Sequence, residues 1–502
     1  MPTGTIKRAG LALLAWIAPA APGLSQGPAP ATALPPPPPT VIGMNAPEVR
    51  YYGSTVAFAN LVMGSDWNNA QWERLPDKHQ DAAGNILSLP ADNAALRFLS
   101  VPPTDAKGIE VRCTFTGSGN LSIAGGGTPI ASGKTMLRFR LVNEHGKQSP
   151  PWLVLRDVDP ARPFRDLDCR EAGSDPAARF RPAFLATLRG YGVIRFMDWQ
   201  NANANQAVAW ADRHRPGGNR TDHDGIAVED MLALARELGA APWFVMPWNA
   251  DDDYIAHFAQ MVAAQLPADQ SVYVEVGNEV WNTGFSVAQQ AVREGHERGL
   301  GTDDREAGMR RYAQRTVEAM RPWEAAFAGR KGLVRVLSTQ HVLPQTAQIA
   351  LSYRDTAAHV DAVATAPYFG STLGGTGHTR ESSLDHLKTE LAATLGMVAQ
   401  NRRVAAGFGK RYIGYEGGAG IALPMQVDLL DRIQHDPAMY DLYTAYLDGW
   451  RKDAGDVLCL LTSVAKPSSY GAWGLAAWED ETPAQAPKWR AVRDAIAANR
   501  SR

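Results

Sequence analysis

Hydrophobic and polar positions follow two alternating patterns from about residue 190 onward. Runs rich in apolar and β-branched residues are separated by stretches with the spacing of an amphipathic helix, which predicts parallel strands connected by helices. One such helix is predicted over Val228–Leu238, and Gly239 is expected to end it. The predicted strands are 193–197, 242–247, 272–277, 333–338, 360–366, 411–415 and 456–461.

These seven strands need an eighth to close into a barrel. The apolar segment 41–45 supplies it, and a short helix is predicted around residues 58–63. The predicted fold class is therefore α/β, a (β/α)8 TIM barrel. Its first strand and helix are assigned to residues 41–71, and the remainder of the barrel to residues 161–502.

Residues 72–160 differ from the barrel in their pattern. Segment 108–117 alternates with period two, and further short segments at 121–123 and 136–142 are separated by glycine-rich turns. This pattern predicts an antiparallel β unit inserted after the first barrel strand. We expect the barrel to fold when this unit is deleted.

The N-terminal 25 residues have the layout of a signal peptide. Lys7 and Arg8 precede an apolar stretch at 11–18, and small residues follow. Residues 26–40 include five successive prolines, which predict an extended tether. We therefore expect a secreted or periplasmic protein. The apolar stretch is too short for a stable span and no later run of about 20 apolar residues follows, so no membrane span is expected.

The balance of charges narrows the classes of partner. With 50 basic and 52 acidic residues the formal net charge is −2, so no overall field favours nucleic acid or an anionic membrane. The oligomeric state stays open. Cys113 and Cys169 can pair in an oxidising compartment, whereas Cys459 lies in an apolar run and is expected to be a buried small hydrophobic residue.

No cofactor or metal is expected from the motifs. The cysteines lack the spacing of a zinc site. The acids at 251–253 directly precede a predicted helix, so helix capping is favoured over calcium binding. The glycines at 125–127 lack the lysine and the helix that a phosphate-binding loop requires.

Two glutamates stand where predicted strands end. Glu279 follows Gly277 and Asn278 after the fourth strand, and Glu416 ends the seventh with glycines behind it. In a parallel barrel all such ends lie on one face, so the two carboxyl groups can flank one bond. A protonated carboxyl and a second carboxylate are what glycosidic bond cleavage needs. The alternative for an isolated Asn-Glu pair is a carboxylate at a helix N-terminus.

This layout resembles glycoside hydrolase clan A, the retaining (β/α)8 glycosidases that include cellulases and mannanases. The resemblance implies that Glu279 is the acid/base, that Glu416 is the nucleophile, and that Asn278 contacts the sugar 2-hydroxyl. Arg195 resembles the arginine that hydrogen-bonds the nucleophile, with a barrel-interior salt bridge as the alternative. Tyr368 resembles the aromatic donor to the nucleophile.

Other strand ends and several tryptophans complete the predicted site. Flat sugar faces pack on indole rings, so we predict substrate contacts for Trp281, Trp473 and Trp248, with core packing as the alternative for each. Asn249, beside Trp248, is included as a substrate contact. The first strand ends near Asn45 and Glu48, and the fifth near His341, for which a structural hydrogen bond is expected.

The sequence thus predicts a retaining glycoside hydrolase that cleaves a β-linked polysaccharide or oligosaccharide through a covalent glycosyl-enzyme. Two alternatives remain: a non-catalytic carbohydrate-binding or matrix protein on a barrel scaffold, and a transglycosylase. For the inserted β unit, a carbohydrate-binding or cleft-shaping module and a structural cover are equally favoured, because fold alone does not define function. Glycan, linkage, and endo or exo action stay open.

Overall fold

Strands and helices alternate along most of the chain in the computed structural model, which describes residues 34–81, 83–216 and 225–500. The predicted signal peptide and the first part of the predicted tether lie outside the described residues. In chain order the strands are β1 (Val41–Asn45), β2 (Ala95–Phe98), β3 (Ile109–Thr116), β4 (Asn120–Ala124), β5 (Gly127–Gly133), β6 (Met136–Leu141), β7 (Trp152–Arg156), β8 (Arg165–Glu171), β9 (Val193–Arg195), β10 (Ala241–Met246), β11 (Val272–Val276), β12 (Leu333–Ser338), β13 (Ala362–Thr365), β14 (Tyr368–Phe369), β15 (Arg411–Gly414), β16 (Gly418–Ala419) and β17 (Val457–Leu460).

Eight of these strands form a closed parallel barrel in the order β1, β17, β15, β13, β12, β11, β10 and β9, so β9 pairs again with β1. Each corresponds to one of the eight predicted strands, and the predicted (β/α)8 class is confirmed. The barrel interior is filled by side chains such as Trp243 and Cys459, and Cys459 is buried as predicted. A Cβ atom on Gly43 would lie 2.6 Å from the Cys459 sulfur, so this position of β1 requires glycine.

Helices surround the barrel and bury their apolar faces against it. Helix α2 ends at Gly239, whose φ of 64° is left-handed, as the sequence predicts. Asp251 accepts a hydrogen bond from the Tyr254 amide at 2.7 Å, so it caps α3 as expected. The helices are α1 (Pro182–Leu188), α2 (Val228–Leu238), α3 (Asp252–Gln265), α4 (Ser286–Glu297), α5 (Asp304–Ala326), α6 (Gln345–Leu351), α7 (Arg380–Gly407), α8 (Val427–Gln434), α9 (Ala438–Asp453) and α10 (Pro487–Arg500).

The helix predicted around residues 58–63 is wrong, because these residues form turns. Phe58 makes an isolated bridge with Phe180. Leu61 and Val62 are buried in the core of the inserted unit instead of the core between barrel and helices. Their apolar character therefore reflects packing against a β unit, which helical periodicity does not anticipate.

The inserted unit consists of two antiparallel sheets, one ordered β2-β7-β4 and the other β5-β6-β3-β8. The antiparallel character is as predicted, but the unit extends past both predicted limits of 72 and 160. Strand β8 pairs with β3, and a disulfide joins Cys113 to Cys169 directly across that pair. On the N-terminal side, Val56 and Trp67 already belong to its core.

Buried polar contacts join this unit to the barrel. Arg181 donates to Glu171, at the end of β8, at 2.8 Å and also to Glu479. Glu479 accepts further hydrogen bonds from the Thr55 hydroxyl at 2.8 Å and the Val56 amide at 3.0 Å. The loop after β17, which carries Glu479, is therefore held against the inserted unit. Among the described helices, none has the length and apolar composition needed to cross a bilayer.

Candidate active site

Glu279 is positioned by a tight turn after β11. Gly277 and Glu279 both have left-handed backbones, with φ of 64° and 50°. A Cβ atom on Gly277 would lie 2.7 Å from a Val280 methyl group, so the turn needs glycine there. A left-handed glutamate is conformationally costly and is typical of functional sites.

The environment of Glu279 favours a protonated carboxyl group. The side chain is buried, with 4% of the residue exposed. Its oxygens accept hydrogen bonds from the Tyr415 hydroxyl at 3.0 Å and the Asn282 amide at 2.9 Å. Burial, followed by the nearby charge of Glu416, raises the pKa of Glu279 to about 7. Near neutral pH this carboxyl group can both give and take a proton.

Glu416 is held between two donors. Arg195 donates to Oε1 at 2.7 Å, and the Tyr368 hydroxyl donates to Oε2 at 3.0 Å. Gly417 follows it, where a Cβ atom would lie 2.3 Å from the Tyr446 hydroxyl. Glu416 is therefore held in one orientation by a cationic and a phenolic donor, whereas the hydrogen bonds found for Glu279 in the described part of the chain come from a phenol and an amide.

Arg195 is fully buried and joins most of the site. Besides Glu416, its guanidinium donates to Glu275 at 2.6 Å, Asn278 at 2.8 Å and Asn45 at 2.9 Å. The two alternatives weighed from the sequence, a nucleophile contact and an interior salt bridge, therefore both occur in the structure. The neighbouring carboxylates outweigh burial and raise the pKa of Arg195.

Three functional positions were not anticipated from the sequence. Glu275 lies inside the apolar strand β11 and accepts from the Ser338 hydroxyl as well as from Arg195. Asn203 accepts a hydrogen bond from the Asn278 amide at 3.0 Å. Burial, together with the charges of Glu48 and Glu416, raises the pKa of Asp198 to about 8. The inward position of Glu275 on a strand was the only signal available for it.

Two of the predicted aromatic contacts, Trp473 and Trp281, are partly exposed. The Trp473 ring meets Tyr368 edge to face, with ring centroids 5.7 Å apart. Its indole N–H donates to the Tyr470 carbonyl at 2.9 Å, and Gly420 leaves room for the ring. Trp281, two residues after Glu279 in the chain, is half-buried.

Trp248 and Asn249 are placed differently. Trp248 is 4% exposed, its N–H donates to Glu294 at 3.3 Å, and Arg311 lies over its ring. Asn249 exchanges hydrogen bonds with Gln290, which also donates to Glu294. Among the described residues, no hydrogen bond connects this pair to Glu279 or Glu416, and the substrate contacts predicted for both residues stay predictions.

His341 has the structural hydrogen bonds expected for it, with its ring nitrogens 3.0 Å from the Thr365 hydroxyl and 3.1 Å from the Thr394 carbonyl. Burial lowers the pKa of His341 to about 4, so the ring is neutral at physiological pH. Within the described ranges, no cluster of three or more His, Cys, Asp or Glu side chains forms a metal site.

Comparison with known proteins gives structural matches only, since no family model and no curated protein matches the chain. The CBM22–GH10 modules of the endo-1,4-β-D-xylanase 10B from Clostridium thermocellum align with 90% of this chain and 96% of their own, at 11% identity and a TM-score of 0.41. The GH51 arabinofuranosidase from Xanthomonas axonopodis pv. citri aligns over 58% of this chain at 12% identity and a TM-score of 0.38. This chain spans 62% of that enzyme, less than two thirds of its length. The endo-1,4-β-D-mannanase from Thermotoga petrophila aligns with 63% of this chain and 94% of its own, at 12% identity and a TM-score of 0.34.

These structural neighbours are (β/α)8 glycosidases of clan A. No single family is assigned to this chain. The substrates in the neighbours' names belong to those proteins.

Proposed function

We propose that this protein is a secreted retaining glycoside hydrolase that cleaves a β-linked polysaccharide or oligosaccharide. One observation carries the proposal: two buried glutamates at the ends of β11 and β15 have opposite environments. Glu416 accepts from a guanidinium and a phenol, whereas burial and the Glu416 charge favour the protonated form of Glu279. Retaining glycosidases need such a division of roles between two carboxyl groups.

In the first step, Glu416 attacks the anomeric carbon while Glu279 donates its proton to the departing glycosidic oxygen. The C–O bond to the leaving sugar breaks, and an ester bond forms between the sugar and Glu416. In the second step, the Glu279 carboxylate removes a proton from water, which attacks the anomeric carbon and releases Glu416. The raised pKa of Glu279 suits both proton transfers.

The surrounding residues orient the reaction. Arg195 fixes Glu416 and Asn278 on one guanidinium, so the nucleophile and the amide that we assign to the sugar 2-hydroxyl have a set relative position. Trp281 and Trp473 are proposed to stack on neighbouring sugar rings. The Cys113–Cys169 disulfide supports export to an oxidising compartment.

The test is product analysis on a panel of soluble β-glucan, xylan and mannan. We expect shortened chains from at least one polymer, and NMR should show that their new reducing ends appear first as the β anomer. Glu416→Ala should give no products. Binding without turnover would favour the non-catalytic protein, and lengthened or rearranged chains would favour transglycosylation. Initial release of the α anomer would contradict the retaining mechanism.

A further inference from the structure

Five aromatic side chains form a continuous strip on the inserted unit. Tyr51 stacks on Phe98 with ring centroids 4.2 Å apart, and Trp72 stacks on Phe98 at 4.5 Å. Trp152 meets the edge of Trp72 at 5.5 Å, and Tyr52 meets Tyr51 at 5.0 Å. We call these residues the aromatic strip.

Two rings of the aromatic strip are exposed at a cost to the free protein. Trp72 is 41% exposed and Tyr52 is 48% exposed. Trp72 also has a left-handed backbone with φ of 63°, which is rare for a bulky residue. Both rings therefore leave apolar surface in water, which a flat ligand face can cover.

The strip starts in the segment that follows barrel strand β1 (Val41–Asn45). Tyr51 and Tyr52 follow Arg50, which donates to Glu48 at 2.8 Å in the segment after β1. The charges of Glu48 and Arg50 both act on Asp198, which in turn lies within range of the Glu416 charge. From there the strip continues onto the two strands β2 and β7 through Phe98 and Trp152. It therefore joins the segment after barrel strand β1 to the surface of the inserted unit.

We propose that the aromatic strip is a second binding site for the polymer, where Trp72 and Tyr52 stack on sugar rings outside the catalytic centre. The ligand class is a β-linked polysaccharide with little charge, because the contact surface is aromatic and a pyranose ring presents a flat C–H face to it. Exposed polar side chains, Gln71 and Glu73, flank Trp72 and can bond to sugar hydroxyl groups. The choice of ligand rests on the proposed function, but binding at the strip does not require turnover.

The experiment uses the full chain with Trp72→Ala, Tyr52→Ala and, as a matched control, Ile130→Ala. Ile130 is 43% exposed and lies on β5 of the same unit, away from the strip. Retardation in native gels containing soluble β-glucan, xylan or galactomannan measures binding. Hydrolysis of the same polymers and of an aryl β-glycoside, too short to reach the strip, measures activity. Unfolding midpoints confirm that each variant is folded.

We expect Trp72→Ala to weaken retardation and to raise KM for the polymer on the order of tenfold, the loss typical of one stacking contact. Ile130→Ala should behave as wild type, Trp72→Phe should keep most of the affinity, and activity on the aryl glycoside should be unchanged. Retardation that depends on Trp72 without any hydrolysis would support the strip and contradict the proposed function. The proposal would be overturned if wild type and Trp72→Ala were retarded equally, or if none of the three polymers retarded the protein. It would also be overturned if Trp72→Ala changed self-association in sedimentation but not retardation.

Discussion

Arg195 is the residue on which most of the site depends. Its guanidinium is fully buried and donates to two carboxylates, Glu275 and Glu416, and to two amide oxygens. These four hydrogen bonds come from all three nitrogens of the side chain. A lysine at this position could not match this planar set of hydrogen bonds.

Removing this guanidinium should destabilise the fold as well as the activity. Arg195→Met leaves Glu275 and Glu416 buried without a cation, so we expect a loss of about 3–5 kcal/mol in the free energy of unfolding, measured by urea denaturation. The control is Arg138→Met, which breaks a partly exposed pair with Glu110 on the inserted unit and should cost under about 1 kcal/mol. Equal losses for the two variants would contradict the account.

The pH dependence should report Glu279. Its pKa is raised to about 7, and the protonated form is required to assist the leaving group, so kcat/KM for a polysaccharide should be full below that pH and fall as pH rises through it. The hydrogen bond from Asn282 stabilises the carboxylate form. Asn282→Ala should therefore move the basic limb to higher pH, as a pH–rate profile would measure. A limb that stays in place or moves to lower pH would refute this assignment.

At the residue scale, the sequence predicts which side chains belong to the site when they stand at strand ends, because barrel geometry brings those ends to one face. Glu279, Glu416 and Arg195 meet there for that reason. Trp248 stands at a strand end as well, yet its ring is turned into the core against Arg311. Residue type does not reveal side-chain direction, so no pattern separates Trp248 from Trp473.

Among the elements, helix α3 offers a clean test of local structure. Asp251 caps its first turn through the Tyr254 amide. Asp251→Ala should destabilise the protein by about 1 kcal/mol, since the cap hydrogen bond is lost at an exposed position. Asp252→Ala, which lies within the helix and makes no cap, is the control in thermal unfolding. Loss of metal-dependent stability on Asp251→Ala would favour the calcium interpretation instead.

The elements also show where periodicity is insufficient. All eight barrel strands are predicted from apolar runs, since each is buried on both faces. Residues 58–63 are wrongly predicted as helix because their apolar side chains are divided between two cores: Phe58 and Met63 pack between barrel and helices, and Leu61 and Val62 pack in the inserted unit. The sequence places the residues of β8 (Arg165–Glu171) in the barrel, whereas the structure pairs β8 with β3 of the inserted unit. Its mixed polar and apolar sequence does not indicate which strand it pairs with.

For the whole molecule, the inserted unit and the barrel share more structure than their sequence boundary suggests. Val56 and Trp67 belong to the core of the unit, and β8 is its last strand. The ion pairs of Arg181 with Glu171 and Glu479 connect the unit to the loop after β17. The unit is thus packed as a part of one fold with the barrel.

Deletion of residues 72–160 should therefore abolish cooperative unfolding, contrary to the expectation from sequence. The deletion removes β3 and leaves β8 unpaired, Cys169 without its partner, and Leu61 and Val62 without a core. Calorimetry of the deletion variant beside the intact chain is the measurement. A single sharp transition in the deletion variant would restore the independent barrel.

The roles of Glu279 and Glu416 are the central claim, and azide rescue tests them most directly. With an activated aryl β-glycoside, Glu279→Ala should still form the glycosyl-enzyme on Glu416 but hydrolyse it slowly. Azide needs no general base, so it should restore turnover and give a β-glycosyl azide, with retained configuration. Glu416→Ala with azide should give only the α-glycosyl azide, by direct attack. Exchange of these two products between the variants would contradict the assignment.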